Sequence, residues 1–197
     1  MGEHSHPVLL VLSGLSGAGK TTVAQRLLAE NASLERVVTC TTRAPREGET
    51  DGVDYHFLSD EKFSHCLATD EFLEHAEVYG QRYGTLRSSV NELLAAGRDV
   101  LLVNDVQGAV TISETAAADS ALGEALMMVF IETGSLEELR ERLESRATDE
   151  PAVIEKRLAT AEGELMRRDL FDYVVTSGTK EEDWRRVQKI YVQAKQG

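Results

Sequence analysis

The chain has 197 residues, of which 42% are hydrophobic and 28% charged, and its net charge is −13. This length and composition predict a soluble globular protein of one domain with a sizeable core. The acidic balance argues against a nucleic-acid surface, because phosphate backbones are bound by an excess of Lys and Arg. The opening apolar run, residues 8–12, is too short to span a membrane.

The number and spacing of cysteines and histidines indicate the cellular compartment of the protein and whether it holds a structural metal. The two cysteines, Cys40 and Cys66, are too few for a disulfide framework and fit a reducing compartment. The first residues lack the positive region of a signal peptide, and His6 stands where a myristoylation signal requires Ser or Thr. The histidines show no ligand spacing. We therefore expect a cytoplasmic protein with no structural metal and no membrane contact.

Apolar runs alternate with helical patterns along most of the chain. In chain order, the predicted elements are strand 8–13, helix 20–29, strand 37–42, helix 86–96, strands 99–104 and 127–131, a helix from Ser135 to about 146, a helix from 148 to about 168, strand 174–176 and a helix from about 181. Ser135 is predicted to cap its helix with Glu138 as the reciprocal partner. Continuous apolar strands that alternate with helices predict a parallel sheet covered on both faces.

Residues 37–85 break this rhythm with short strands and turns. After strand 37–42, the pattern predicts strands at 55–58, 72–78 and 81–84, and a helix at 60–67. This segment is expected to form a separate small lobe. The basic helical pair at 135–168 is a candidate lid over the core.

The segment GLSGAGKTT, residues 14–22, matches the phosphate-loop pattern between a predicted strand and a predicted helix. Glycines allow backbone N–H groups to surround phosphate oxygens, and the following helix adds its positive dipole end. Lys20 is expected along the β- and γ-phosphates, and the Thr21 hydroxyl is expected to ligate Mg²⁺. The loop thus predicts a site for a nucleoside triphosphate, formed by Gly14, Ser16, Gly17, Ala18, Gly19, Lys20, Thr21 and Thr22.

The small lobe carries groups that could bind a second phosphate. The guanidinium groups of Arg43 and Arg46 are three residues apart in one loop, and the Tyr55 hydroxyl can donate to the same anion. Taken singly, these arginines could equally be solvated loop charges. Glu74 could be part of a polar strand face, and Tyr83 a core aromatic.

The chain resembles the guanylate kinases in five segments that occur in the order and spacing of that family: GLSGAGKTT, TTRAPREGETDGVDYHFLS, FLEHAEVYGQRYGT, DVQGA and KRLATAEGEL…FDYVV. The resemblance covers about residues 8–191. It implies Mg²⁺-assisted transfer of a phosphoryl group from ATP to GMP or dGMP. It also implies an α/β fold with a phosphate-loop core and parallel sheet, a mixed-β lobe that binds GMP, and a helical lid.

The resemblance also implies how the chain is divided. One domain would cover residues 1–197, with the core at about 7–36, 87–134 and 170–197. The GMP-binding lobe would cover about 37–86 and the lid about 135–169. ATP and GMP are the implied partners, and neither nucleic acid nor a membrane is expected.

Site residues follow from the family pattern. The GMP phosphate would be held by Arg43, Arg46, Tyr55 and Tyr83, and the base would be recognised by Thr39 and Glu74, helped by Thr85 and Asp105. The lid arginines Arg142, Arg146 and Arg157 would act with Lys20 on the transferring group. Guanine chemistry fits this pattern, because a carboxylate can accept from both N1–H and the N2 amine while a hydroxyl donates to O6.

Four positions depart from the family pattern. Leu15 stands where the family usually has proline, Val103 where it usually has a carboxylate, Ser177 where it often has asparagine, and Ala147 where the lid has glycine. The neighbouring Asp105 could be only the N-cap of the next helix. Three alternatives to a fully active guanylate kinase therefore remain: a P-loop kinase for another acceptor, an inactive interaction module, and a slow nucleotide sensor.

Overall fold

The computed structural model describes residues 6–78, 80–145 and 150–196. The strands in these ranges are β1 (Leu9–Gly14), β2 (Leu34–Arg36), β3 (Cys40–Thr41), β4 (His56–Phe57), β5 (Phe72–Val78), β6 (Gln81–Leu86), β7 (Asp99–Val103), β8 (Leu126–Glu132) and β9 (Tyr173–Thr176). The helices are α1 (Lys20–Glu30), α2 (Asp60–Ala68), α3 (Arg87–Ala95), α4 (Val106–Ala117), α5 (Ser120–Ala125), α6 (Leu136–Glu144), α7 (Pro151–Leu165) and α8 (Lys180–Ala194).

Five strands form a parallel sheet in the order β2-β7-β1-β8-β9. The central strand β1 is buried at every residue, which its apolar run predicts for a strand with neighbours on both edges. Helices α1 and α8 pack against each other, and α4 packs against both β1 and α5. The fold is therefore α/β, as predicted. Among the residues that the structure describes, no helix is both long and apolar enough to cross a bilayer.

A second, mixed sheet has the order β4-β3-β6-β5, with β3 parallel to β4 and antiparallel to β6. Its small core contains Cys40, Phe63, Cys66 and Phe72. Burial raises the pKa of Cys40 to about 12, so this thiol stays protonated and packs as an apolar group. The separate lobe that the short strands predict corresponds to this second sheet with helix α2.

The run predicted as strand 37–42 behaves differently in the structure. Only Cys40 and Thr41 form a strand, and they pair within the small sheet. The strand that instead joins the large sheet is β2, directly before the predicted run, which pairs with β7 and forms one edge of that sheet. β-branched residues indicate that a segment favours pairing, but they do not specify its partner strand.

Helices α6 and α7, predicted as the lid, begin at Leu136 and Pro151. The predicted end of the first at about 146 and the predicted start of the second at 148 lie outside the described residues. Ser135 caps α6 by accepting from the Glu138 N–H, but the Glu138 carboxylate accepts from the Gly134 N–H and not from Ser135. Helix α7 ends at Leu165, and a 3₁₀ turn at Arg168–Leu170 follows it. The predicted helix 148–168 was therefore too long at its carboxyl end.

Candidate functional site

The loop between β1 and α1 crosses very close to the neighbouring strand β8. A Cβ atom at Gly14 would lie 2.0 Å from the carbonyl oxygen of Ile131, and the φ of Gly14 is +125°. Only glycine fits this crossing. The next residue, Leu15, is buried and donates its N–H to the same Ile131 oxygen at 3.0 Å. Leu15, where the resemblance expects proline, thus anchors the loop to β8.

Lys20 begins α1 and lies against this loop. Its Nζ donates to the carbonyl oxygens of Gly14 at 2.8 Å and Leu15 at 3.0 Å. An ammonium group therefore stands beside the amino end of α1, where the backbone dipole is also positive. A cation and a helix amino terminus together form a site for an anion such as phosphate.

A cavity of about 370 Å³, here called the loop cleft, opens over these groups. Thr21 lines it from α1, and Val103, Asn104 and Asp105 line it from the end of β7. Glu164 of α7 also lines it. Val103 is 41% exposed, so its apolar side chain faces solvent where a carboxylate was expected.

A second cavity of about 440 Å³, the intersheet cleft, lies between the two sheets. Its polar lining includes Thr39, Tyr55, Glu74, Tyr83 and Asp105. Four residues, Thr21, Val103, Asn104 and Asp105, line both the intersheet cleft and the loop cleft. The two clefts therefore meet at the carboxyl edge of the parallel sheet, beyond β7.

Glu74 is the buried carboxylate of the intersheet cleft. It is 6% exposed and accepts a hydrogen bond of 2.6 Å from the Thr85 hydroxyl. Burial raises its pKa, while hydrogen bonds from Thr85 and Asn104 favour the ionised form. Gly108 leaves space here, because a Cβ on it would lie 3.2 Å from both Glu74 Oε2 and Asn104 Nδ2.

Arg43 lies beside the aromatic rings of the small lobe. Its Cζ is 5.4 Å from the ring centroid of Tyr55, and the Tyr55 and Tyr83 rings meet edge to face at 6.1 Å. Both oxygens of Glu49 accept from Arg43 Nη2, and Glu49 also accepts from the Arg46 N–H. The guanidinium group is thus held beside two phenol rings by a carboxylate.

Asp105 is the N-cap of α4, since its Oδ1 accepts from the Gly108 N–H at 2.8 Å. The capping role considered from sequence is therefore confirmed. The side chain also lines both clefts, so capping does not remove it from the site.

A third cavity of about 580 Å³, the helix cleft, lies beside the loop on its other side. Arg142 of α6 lines it and donates to the hydroxyl of Ser177 at 2.8 Å. Ser177 in turn donates to Asp183 of α8, which also accepts from the Gly178 N–H. Ser177, a departure from the family pattern, therefore joins the lid helix to α8.

The other residues that the sequence predicted for the site lie outside the loop cleft and the intersheet cleft or outside the described residues. Arg46 is exposed, and Arg157 is half-buried on α7. Among the described residues, neither one lines the loop cleft or the intersheet cleft. Arg146 and Ala147 lie outside the residues that the structure describes. The structure thus brings the loop and the base-recognising residues together, places Arg142 beside the loop in the helix cleft, and leaves Arg46 and Arg157 outside the loop cleft and the intersheet cleft.

Four lining or supporting residues were missed from the sequence: Arg36, Glu49, Asn104 and Glu164. One of them, Glu164, could have been found from the sequence. It follows Arg157 by seven residues and therefore lies on the same face of the helix. Asn104 and Arg36 carried no signal, since the two strands that end there come together only in the folded sheet.

The chain is similar to known proteins over nearly its whole length. A family model described as "Guanylate kinase" matches residues 6–194. The guanylate kinase of Paramagnetospirillum magneticum is 45% identical over 170 residues, which cover 86% of this chain and 77% of that protein. That of Clostridium perfringens strain SM101 is 38% identical over 193 residues, covering 98% and 86%. The crystal structure of guanylate kinase from Anaplasma phagocytophilum superposes with a TM-score of 0.74 at 34% identity, covering 98% of this chain and 88% of that one.

Proposed function

Because the chain belongs to the guanylate kinase family, we propose that it transfers the γ-phosphoryl group of ATP to GMP, and to dGMP, giving ADP and GDP or dGDP. The observation that carries this proposal is the shared lining of the two clefts by Thr21, Val103, Asn104 and Asp105. A triphosphate in one cleft and a monophosphate in the other would meet at this edge. In-line transfer requires such a head-to-head arrangement.

The donor triphosphate would occupy the loop cleft. The backbone amides of residues 14–22 and the amino end of α1 would bind its oxygens. Lys20 would leave the Gly14 and Leu15 carbonyls and contact the β- and γ-phosphates, because an anion is a stronger partner than two neutral carbonyls.

The acceptor GMP would occupy the intersheet cleft. Glu74 would accept from guanine N1–H and the N2 amine, and Thr39 would donate to O6. Arg43, Arg46, Tyr55 and Tyr83 would bind its phosphate, with Arg43 released from Glu49 or shared with it. Thr85 and Asp105 would support the base and the ribose side.

The lid supplies further positive charge. Arg142 lies on α6 and Arg157 on α7, Arg146 lies between these two helices in the sequence, and closure would bring the three arginines to the transferring group. One such arginine is worth about 10³-fold in rate in phosphoryl transfer. Closure would also exclude water, which would otherwise hydrolyse ATP.

The residues of the loop cleft fit Mg²⁺. A hard cation prefers oxygen ligands, and Thr21, Asp105 and Glu164 supply a hydroxyl and two carboxylates. Among the described residues, no group of three acidic, His or Cys side chains could hold a metal by itself. Thr21 would therefore hold the ion together with nucleotide and water oxygens, and the ion would neutralise charge between the β- and γ-phosphates.

A coupled assay of nucleoside diphosphate formation, with ATP and Mg²⁺ and each of GMP, dGMP, AMP, CMP and UMP, tests the proposal. We expect GMP to be preferred over AMP by about 10⁴-fold in kcat/KM, since AMP would leave the buried Glu74 unpaired. Comparable rates with AMP would point to another nucleotide kinase. Folded protein that binds nucleotides without turnover would point to a sensor or an interaction module.

The two cysteines within the described ranges are buried and unbridged. Together with the expected nucleotide substrates, they support a reducing, cytoplasmic location. Activity in a cytosolic fraction, followed with an antibody against the chain, would test this.

A further inference from the structure

Glu164 is a carboxylate of the loop cleft that is available to Mg²⁺ but was not among the site residues predicted from the sequence. It lies in the last turn of α7 and is half-buried, and it lines the same cleft as Thr21. The cleft is otherwise formed by the phosphate loop and by the end of β7. A lid helix therefore contributes a negative side chain to a cavity built for a triphosphate.

The electrostatic surroundings of Glu164 identify what it faces. Burial raises its pKa, and Asp105 acts in the same direction. The Lys20 ammonium and the Ser16 backbone N–H favour the ionised form. These two groups belong to the loop itself, so the Glu164 carboxylate lies within interaction range of the groups that would bind phosphate.

Few other carboxylates are available at this edge. Position 103 carries an exposed valine, and its neighbour Asn104 is neutral. Asp105 has one oxygen engaged by the Gly108 N–H. Among the residues that line the loop cleft, Asp105 and Glu164 are the only acidic ones.

We propose that Glu164 makes triphosphate binding dependent on Mg²⁺: its carboxylate repels the bare triphosphate and accepts hydrogen bonds from water bound to the ion. This inference rests on the proposed function, since it assumes that the loop cleft binds ATP. The physical reason is charge. Two anions share a partly desolvated cleft at a tolerable free energy only when a cation lies between them.

Two dissociation constants are measured: that of metal-free ATP, in EDTA, and that of ATP with saturating Mg²⁺. The quantity of interest is the first divided by the second. Isothermal titration calorimetry without acceptor gives both, and no catalysis is involved. Glu164→Gln keeps the size of the side chain and removes its charge. We expect the ratio to fall about tenfold relative to the unchanged chain. Metal-free ATP should bind more tightly, and MgATP should bind more weakly. Glu164→Asp retains the charge and should keep most of the ratio.

The matched control is Glu162→Gln, which removes a charge from the exposed face of the same helix. It should leave the ratio unchanged. Circular dichroism and thermal melting would establish that α7 is intact, and Glu164→Leu provides a second uncharged variant should glutamine perturb the helix. An unchanged ratio in folded Glu164→Gln would overturn the inference.

Restoring a carboxylate across the cleft gives an independent test. Val103→Asp in the Glu164→Gln background should recover the ratio, because position 103 lines the same cleft and is exposed enough to accept a charge. No recovery would mean that the effect is specific to α7 and not to the charge of the cleft, which would contradict the proposal. Failure of the unchanged chain to bind MgATP would instead overturn the proposed function.

Discussion

Burial raises the pKa of the Glu74 carboxyl, and two neighbours offset part of this effect. The Thr85 hydroxyl donates to Oε1 at 2.6 Å, and Asn104 offsets part of the burial that raises the pKa. Such an acceptor is oriented before any ligand arrives. A base with two adjacent donors would satisfy it, and a base without them would leave a buried charge unpaired.

Glu74→Gln tests this at the residue scale. The glutamine amide would present N–H groups to the guanine donors, so kcat/KM for GMP should fall about 100-fold while the already low AMP rate changes little. Steady-state kinetics with both nucleotides measure this. Glu77→Gln on the same strand is the control, since Glu77 is exposed. An unchanged preference for GMP would show that Glu74 does not recognise the base.

Among the elements, the loop after β1 and helix α7 use glycine for different reasons. Gly14 has a positive φ and crosses β8 where a Cβ has no space. Gly163 lies inside α7, and a Cβ there would meet nothing within 4 Å. The first glycine is required by tertiary contact, whereas the second only weakens a helix.

The two alanine variants should therefore change stability in opposite directions. Gly14→Ala should lower the free energy of unfolding by about 3 kcal/mol, because the loop must move away from Ile131. Gly163→Ala should raise it by about 1 kcal/mol through helix propensity. Urea unfolding followed by circular dichroism measures both. Equal changes in the free energy of unfolding for the two variants would contradict the close contact between Gly14 and Ile131.

At the scale of the whole molecule, Asp99 joins segments from both ends of the chain. Its carboxylate is 1% exposed and accepts from the Val8 N–H, the Ser33 hydroxyl, the Tyr191 hydroxyl and Lys195 Nζ. Burial alone would raise the pKa of Asp99, but Lys195, Tyr191 and the other donors outweigh burial and lower it. The beginning of β1, the start of β2 and the end of α8 are thereby fixed to one side chain at the edge opposite the clefts.

Asp99→Asn should cost about 3 kcal/mol at pH 7, since it leaves the buried donors without their charged partner. The folded pKa lies below the unfolded value of about 3.9, so the stability from this carboxylate is present above that value and is lost as the pH falls through the folded pKa. The difference between variant and unchanged chain should accordingly shrink toward pH 3.

Urea unfolding at several pH values between 7 and 3 would measure this dependence. Asp169→Asn, at a side chain 94% exposed, is the control and should have little effect at any pH. A penalty for Asp99→Asn that is constant across the range would indicate lost packing and not lost charge.

The sequence by itself determined the elements whose signals are local. The loop at 14–22, the buried strands β1, β7 and β8, the Ser135 cap and strand β5 were all predicted close to their observed positions. A turn, a cap or a fully buried strand is specified by the φ/ψ preferences and polarity of neighbouring residues. These act over one turn of chain and can be recognised without any partner.

Tertiary structure decided which distant segments meet. Residues 40–41 joined the small sheet while 34–36 joined the large one, and Glu164 and Thr21 came to line one cleft. Such contacts depend on the competition of all segments for burial and hydrogen bonds, which no single stretch of sequence encodes.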